Sequence, residues 1–330
     1  MSQTTLEGRA DAGSRLPLEL DPCLVEEAVA LTLRALPRAE FWRERDQIYE
    51  IKDEEERDRR FRSLNRNAFE TLGLAAPIHQ ALSEQPLTGE HVRVCRVVSA
   101  VSGQDEGAEL FVGFGGEGES PRSTRSIVLK LRPSAFGVPH MLLLYLRHEL
   151  FHISDMLDPT FGYDPALPDC DGEPARLKLL LSRYRVLWDT VIDGRLWKSR
   201  KAPEGAKGLR QREFASTFPM LGDRTLELFE QWFHLPRPTH AALLYFARNP
   251  CAAIGTGGEL AAASAGICPL CKCSGRVETP DTAFVAASII NEILQDFPKW
   301  RPADGICPQC IELYLTRPLS RAAAGSLPRA

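Results

Sequence analysis

Residues 148–152 read His148-Glu149-Leu150-Phe151-His152, an H-E-x-x-H pentapeptide. On a helix, two imidazoles four residues apart lie one above the other and can reach a single metal ion. The glutamate between them is then placed to take a proton from a metal-activated water, the chemistry of zinc-assisted hydrolysis. A second set of ligand types lies further along. Gly266-Ile267-Cys268-Pro269-Leu270-Cys271 and Gly305-Ile306-Cys307-Pro308-Gln309-Cys310 repeat one frame, G-I-C-P-x-C. Two C-x-x-C knuckles about 35 residues apart have the spacing of a closed four-cysteine zinc site, which contributes folding energy rather than chemistry. Lys272-Cys273 follows the first knuckle, so Cys273 is an alternative ligand or a spare thiol.

The elements around the pentapeptide decide whether it can work. Residues 140–157 are apolar on most sides, with Leu142, Leu143, Leu144, Leu146, Leu150, Phe151, Ile153 and Leu157. At about 100° per residue, His148, Glu149, His152, Asp155 and Met156 share one direction. Such a helix is buried, and unpartnered ionisable groups on it cost several kcal/mol each, so the polar stripe calls for a partner. A metal ion supplies one; hydrogen bonds from a structural histidine pair to backbone are the plainer alternative.

Three strands, 92–101, 109–114 and 126–131, precede this helix, separated by turns rich in Gly, Ser and Asp. The Gly113-to-Gly118 turn holds a G-x-G but opens no helix, so it is a hairpin loop rather than a phosphate cradle. A loop (158–174) and a long helix (175–198) follow, then helices over 211–218, 224–234 and 239–248. Upstream, 24–36 has helical spacing, and 41–72 is an amphipathic helical region whose charge runs need only solvent. These patterns predict an α+β fold. A disordered lead-in (1–17) leads to a mostly helical domain (18–252) with a small antiparallel sheet at about 90–132. A ribbon-like four-cysteine module (253–318), with a helix over 282–297 between its knuckles, and a flexible tail (319–330) complete the chain.

The net charge of −4 over 330 residues gives no bulk electrostatic reason to expect nucleic acid or a membrane surface. The N-terminus is polar, and no apolar run approaches the roughly 18 residues of a membrane span. A cytoplasmic protein is expected, and in a reducing compartment its nine cysteines are thiols or metal ligands rather than disulfides. Cys23, Cys95, Cys170 and Cys251 are isolated and are read as buried or incidental.

Strands, an H-E-x-x-H helix and a further helix resemble the core of the zincin metallopeptidases over residues 90–200. The likeness is closer to the gluzincins than to the metzincins. The resemblance implies that His148 and His152 bind Zn²⁺ and that Glu149 is the general acid/base. It also implies that the last strand before the helix, 126–131, holds an extended peptide by β-augmentation. A catalytic zinc takes three protein ligands and leaves one position open. No His lies between His152 and His234, which leaves two carboxylate routes. Gluzincins use a Glu on the next helix with an Asp four residues later; here Asp189 and Asp193 stand at that spacing. In the metzincin pattern, Asp155 and Asp158 occupy the key places after His152, with Met220 a distant Met-turn candidate. Each carboxylate also has a plain reading: Asp189 can pair with Arg185, and Asp158 before Pro159 can be a turn residue. Tyr163 and Tyr184 are the nearest candidates for transition-state donors.

The function expected from these residues is a zinc-dependent hydrolase, a metallopeptidase acting on peptide or protein. The alternative is a catalytically silent zincin-like metal-binding or regulatory protein whose four-cysteine module docks a partner. An H-E-x-x-H domain joined to a zinc ribbon also resembles the Spartan-type proteases of DNA–protein crosslinks, but the third His and a basic tail are missing.

Overall fold

The computed structural model describes residues 16–35, 38–113, 121–166, 174–250, 252, 265–271, 274–280, 285–307, 310–311 and 313–315. The chain divides into two compact units, Met1–Pro159 and Thr160–Ala330. Most of the expected lead-in, most of the glycine turn, residues 253–264 at the start of the expected cysteine module, the tail, and Cys170, Cys251 and Cys273 lie outside the described residues.

The first unit is built on a four-stranded sheet of β1 (Leu18–Leu20), β2 (Val94–Ser99), β3 (Gly107–Val112) and β4 (Arg125–Leu131), in the order β1-β2-β4-β3. The expectation of an antiparallel sheet is corrected here: β1, β2 and β4 run parallel, and only β3 is antiparallel. After β2 the chain passes beyond the place of β4, forms β3 at the edge, and returns to fill the gap. Turn residues alone do not distinguish this path from a simple meander. Burial does, since Val94, Cys95 and Val97 of β2 and Ile127, Leu129 and Leu131 of β4 are all buried, as central strands require. β1 was hidden by its three-residue length. It is anchored by Cys95 N donating to Pro17 O at 2.9 Å.

Helices α1 (Pro22–Ala35), α2 (Ala39–Tyr49), α3 (Glu54–Thr71), α4 (Ala76–Ser83) and α5 (Pro86–His91) precede β2. The single helical region expected at 41–72 is two helices. Asp53 caps α3, its carboxylate accepting from Glu56 N at 2.7 Å, and Glu54, Glu55 and Glu56 complement the helix dipole. α4 and α5 escaped the sequence reading although each has a proline in its first turn. A four-residue α6 (Pro121–Thr124) leads into β4, and α7 (Pro139–Leu157) carries the H-E-x-x-H. Leu142, Leu146, Leu150, Ile153 and Leu157 form the buried stripe of α7, while His148, Glu149 and His152 are half-buried. Arg147 fixes the rotation of α7. Its Nε and Nη2 donate to the two oxygens of Glu84, at the end of α4, at 2.9 and 2.8 Å.

In the second unit α8 (Pro174–Lys198) packs against α9 (Ala206–Thr217), α10 (Thr225–Phe233) and α11 (His240–Arg248). Phe214, Phe218, Phe229 and Phe233 meet in tilted and edge-to-face pairs in its core, at centroid distances of 4.7 to 5.7 Å. α8 and α10 meet at Gly194, where a Cβ would lie 1.7 Å from Phe233 O. The Cys-rich part of this unit contains β5 (Ala265–Ile267), β6 (Ser274–Arg276) and α12 (Ala287–Asp296). Among the described residues no helix is long and apolar enough to cross a membrane.

Gly194→Ala should therefore force α10 away from α8 and cost about 3 kcal/mol or more. A urea titration followed by tryptophan fluorescence checks this, because Trp188, Trp197, Trp232 and Trp300 all belong to the second unit. A midpoint unchanged from wild type would refute the close crossing.

Candidate metal centres

On α7 the expected alignment of the two histidines is present. The His148 and His152 rings sit with centroids 5.1 Å apart and planes 70° apart, edge to face, on one side of the helix. Glu149 turns toward the sheet, where its Oε2 accepts from Ala108 N of β3 at 3.3 Å. β3 is the sheet edge. Gly113 N donates inward to Thr124 O, so by alternation Ala108, Leu110 and Val112 direct their peptide groups outward. The assignment of β-augmentation to 126–131 is corrected by this topology. β4 is flanked by β2 on one side and β3 on the other, so its backbone groups are already used. The strand with an open side beside Glu149 is β3.

The carboxylate candidates fall into two kinds. Asp158 ends α7 in an extended conformation, its N–H bonded to Ser154 O and Asp155 O, which is the turn role. Asp155, one helical turn earlier, is buried. On α8, Asp189 and Asp193 are 5% and 7% exposed, and one guanidinium binds both. Arg210 of α9 donates from Nε to Asp193 Oδ2 at 2.7 Å and from Nη1 to Asp189 Oδ2 at 3.2 Å, and also pairs with Glu213. Burial works against the charge of Arg210, but Asp193 and Asp189 outweigh it and raise the pKa. The expected i, i+4 ion pair with Arg185 is also present, at 3.8 Å and with the Arg185 side chain 82% exposed, longer than a hydrogen bond and weaker than the contact from Arg210. Sequence reasoning missed Arg210, since nothing in local spacing ties a residue of α9 to a pair on α8.

The two tyrosines lie together. Tyr163 and Tyr184 join Phe161, Trp188 and His240 in one aromatic cluster, with Tyr184 Oη 2.8 Å from His240 Nδ1. Burial lowers the pKa of His240 and raises that of Tyr163, so both are neutral near pH 7. Met220, the distant Met-turn candidate, lies in the 3-10 helix Pro219–Arg224 and packs against the Cys-rich core.

The four knuckle cysteines are the second centre. Cys268, Cys271, Cys307 and Cys310 are all buried, with one ligand atom from each within 4.8 Å of the others. Cys268 and Cys310 sulfurs are 3.9 Å apart, and those of Cys271 and Cys307 are 3.7 Å apart. A tetrahedral ion with metal–sulfur bonds of about 2.3 Å needs sulfur–sulfur edges of about 3.8 Å, whereas a disulfide needs about 2.0 Å. The cluster is therefore geometrically suited to a metal ion. Against the opposing effect of Cys271, contacts with Cys307 and Cys310 lower the Cys268 thiol to about 6. Cys268 and Cys271 in turn push Cys307 and Cys310 up. One thiolate favoured among reluctant neighbours is what a cation would resolve. Gly266 and Gly305 of the repeated frame both abut Val277, and a Cβ at Gly305 would lie 2.5 Å from Val277 Cγ1. Outside both centres, Cys23 is exposed, and burial pushes the Cys95 thiol up to about 12, so it is unreactive.

Comparison of the chain with protein-family models, with curated proteins and with solved structures gives no match.

Cys307→Ser should abolish metal retention at the four-cysteine cluster, seen as one fewer tightly held ion per chain by elemental analysis. Trp300, buried in the same core, should become solvent-exposed, with a red-shifted emission. Retention of the full metal content would refute the cluster as a metal centre.

Proposed function

We propose that the protein is a zinc-dependent hydrolase of the metallopeptidase kind. Its zinc would be held by His148, His152 and a carboxylate of α8, Asp189 ahead of Asp193, with a second, structural zinc on Cys268, Cys271, Cys307 and Cys310. The carrying observation is the α7 trio, in which two imidazoles lie edge to face on one side of the helix while the carboxylate between them reaches the sheet edge. Two imidazoles and a carboxylate are a donor set of the catalytic-zinc type. Asp189 is preferred because Arg210 binds Asp193 more closely, 2.7 against 3.2 Å. Asp158 is set aside as the residue that ends α7, and Asp155, as buried as Asp189, is the alternative carboxylate on α7 itself.

Zinc bound there would polarise the scissile carbonyl and acidify a water. Glu149 would take the proton of that water and pass it to the leaving amine. Its bond to Ala108 N, 3.3 Å long, holds the carboxylate at the sheet edge without locking it. An extended peptide would pair with the outward groups of Leu110 and Val112 on β3, which sets its scissile bond beside Glu149. The substrate class follows from that edge, because a row of backbone donors and acceptors recognises a polypeptide.

The contact between Glu149 and Ala108 also supports the second reading, a catalytically silent metal-binding protein whose four-cysteine module docks a partner. A carboxylate with one oxygen already engaged by a backbone N–H can serve a structural role instead of a proton-transfer one.

Elemental analysis of wild type, Glu149→Gln and His152→Ala, with a peptide-library cleavage assay, separates these readings. The expected content is about two zinc per chain in wild type and Glu149→Gln, and about one in His152→Ala. Glu149→Gln should lower cleavage by about 100-fold or more. One zinc in wild type, unaffected by His152→Ala, would overturn the catalytic site. Two zinc without cleavage of any peptide would select the silent protein.

A further inference from the structure

We infer that Arg210 is the positioning residue of the proposed zinc site, setting the direction in which Asp189 presents its ligating oxygen. The inference rests on the metallopeptidase reading for the identity of the site, but its geometry lies wholly within α8 and α9. Asp189 and Asp193 are four residues apart, so they lie on one face of α8 about one turn from each other. Arg210 spans that turn, engaging Oδ2 of both, with its own side chain only 14% exposed. Glu213, one turn further along α9, braces the same guanidinium from the more exposed side. A carboxylate has two oxygens, and fixing Oδ2 fixes the plane of the group and hence where Oδ1 points. An unrestrained aspartate would have to lose that rotational freedom each time it bound a metal, which weakens binding. Two carboxylates at different distances from separate nitrogens call for the planar fork of arginine. The single ammonium of lysine cannot reproduce it. α9 is thereby part of the site although it contributes no ligand.

The test is zinc affinity rather than turnover, measured by competition with a chromophoric chelator on protein shown folded by circular dichroism. The zinc of the four-cysteine cluster serves as internal control. Arg210→Met should weaken the more labile zinc by about 10- to 100-fold, and Arg210→Lys by a smaller factor. Glu213→Gln should change it by less than about 3-fold, since that carboxylate is half exposed and touches only the guanidinium. All three should leave the cysteine-bound zinc unchanged. Cobalt in place of zinc gives a second readout: Arg210→Lys should shift the visible absorption of the bound ion, which lost stability alone would not do. Unchanged affinity and spectrum in both Arg210 variants would overturn the inference and leave the hydrolase reading standing. A wild-type chain that holds only the cysteine-bound zinc would overturn both. If Arg210→Met does not fold, Arg210→Lys decides in the same way.

Discussion

A charged or strongly polar group taken out of water needs a partner, because the desolvation cost runs to several kcal/mol when none is supplied. This chain places such groups inside its folded units repeatedly, and much of the architecture follows from how they are satisfied. Arg147 is tied to Glu84, which locks the rotation of α7 and so the direction of its histidines. Asp189 and Asp193 are gathered by Arg210, which binds α9 to α8. Four thiols are packed sulfur to sulfur in the Cys-rich part of the second unit. Ordinary apolar packing surrounds each of these places. The phenylalanines around α10 and the leucine stripe of α7 supply the bulk of the burial, and the polar pairs decide which rotation and which register the helices adopt.

The helix of the pentapeptide and the two cysteine knuckles were legible in the sequence because each is a local pattern. H-E-x-x-H names residues within one turn, and C-x-x-C names residues within one loop. The long helix of Asp189 was equally clear from its length. The sheet was only half legible. Its three main strands were evident from Val, Ile and Phe content, but their order was not, since β3 inserts beyond β4 through turns that would suit a plain hairpin equally well. That one difference moved the proposed substrate-binding edge from 126–131 to Gly107–Val112. Arg210 was illegible for a related reason. Its partners lie 17 and 21 residues earlier on another helix, and only packing brings them together. Local chemistry can be inferred from spacing, but the residues that brace it cannot.

The cysteine centre shows how closely a repeated frame follows a repeated constraint. Both G-I-C-P-x-C segments must turn the chain so that two sulfurs and a backbone N–H point inward, and Cys307 N does point at the Cys268 sulfur, 3.5 Å away. The glycines of both frames press on one side chain, Val277, which leaves no room for a Cβ at Gly305, already in a left-handed conformation at φ 74°. The isoleucines share no such constraint. Ile306 is fully buried while Ile267 is 68% exposed, because one joins the core with Trp300 and the other sits in the outer strand β5. Identity in sequence alone therefore does not separate the two kinds of position; shared burial and close contact, at the cysteines and glycines, mark what a common metal would demand. The same distinction applies on α7, where the geometry of one ion and one proton transfer would set His148, Glu149 and His152. Their apolar neighbours are set by the sheet beneath. On the proposed reading an aspartate fixed by a guanidinium would belong to the first kind, and Arg210, though it offers no ligand, would fall under the same chemistry as the histidines.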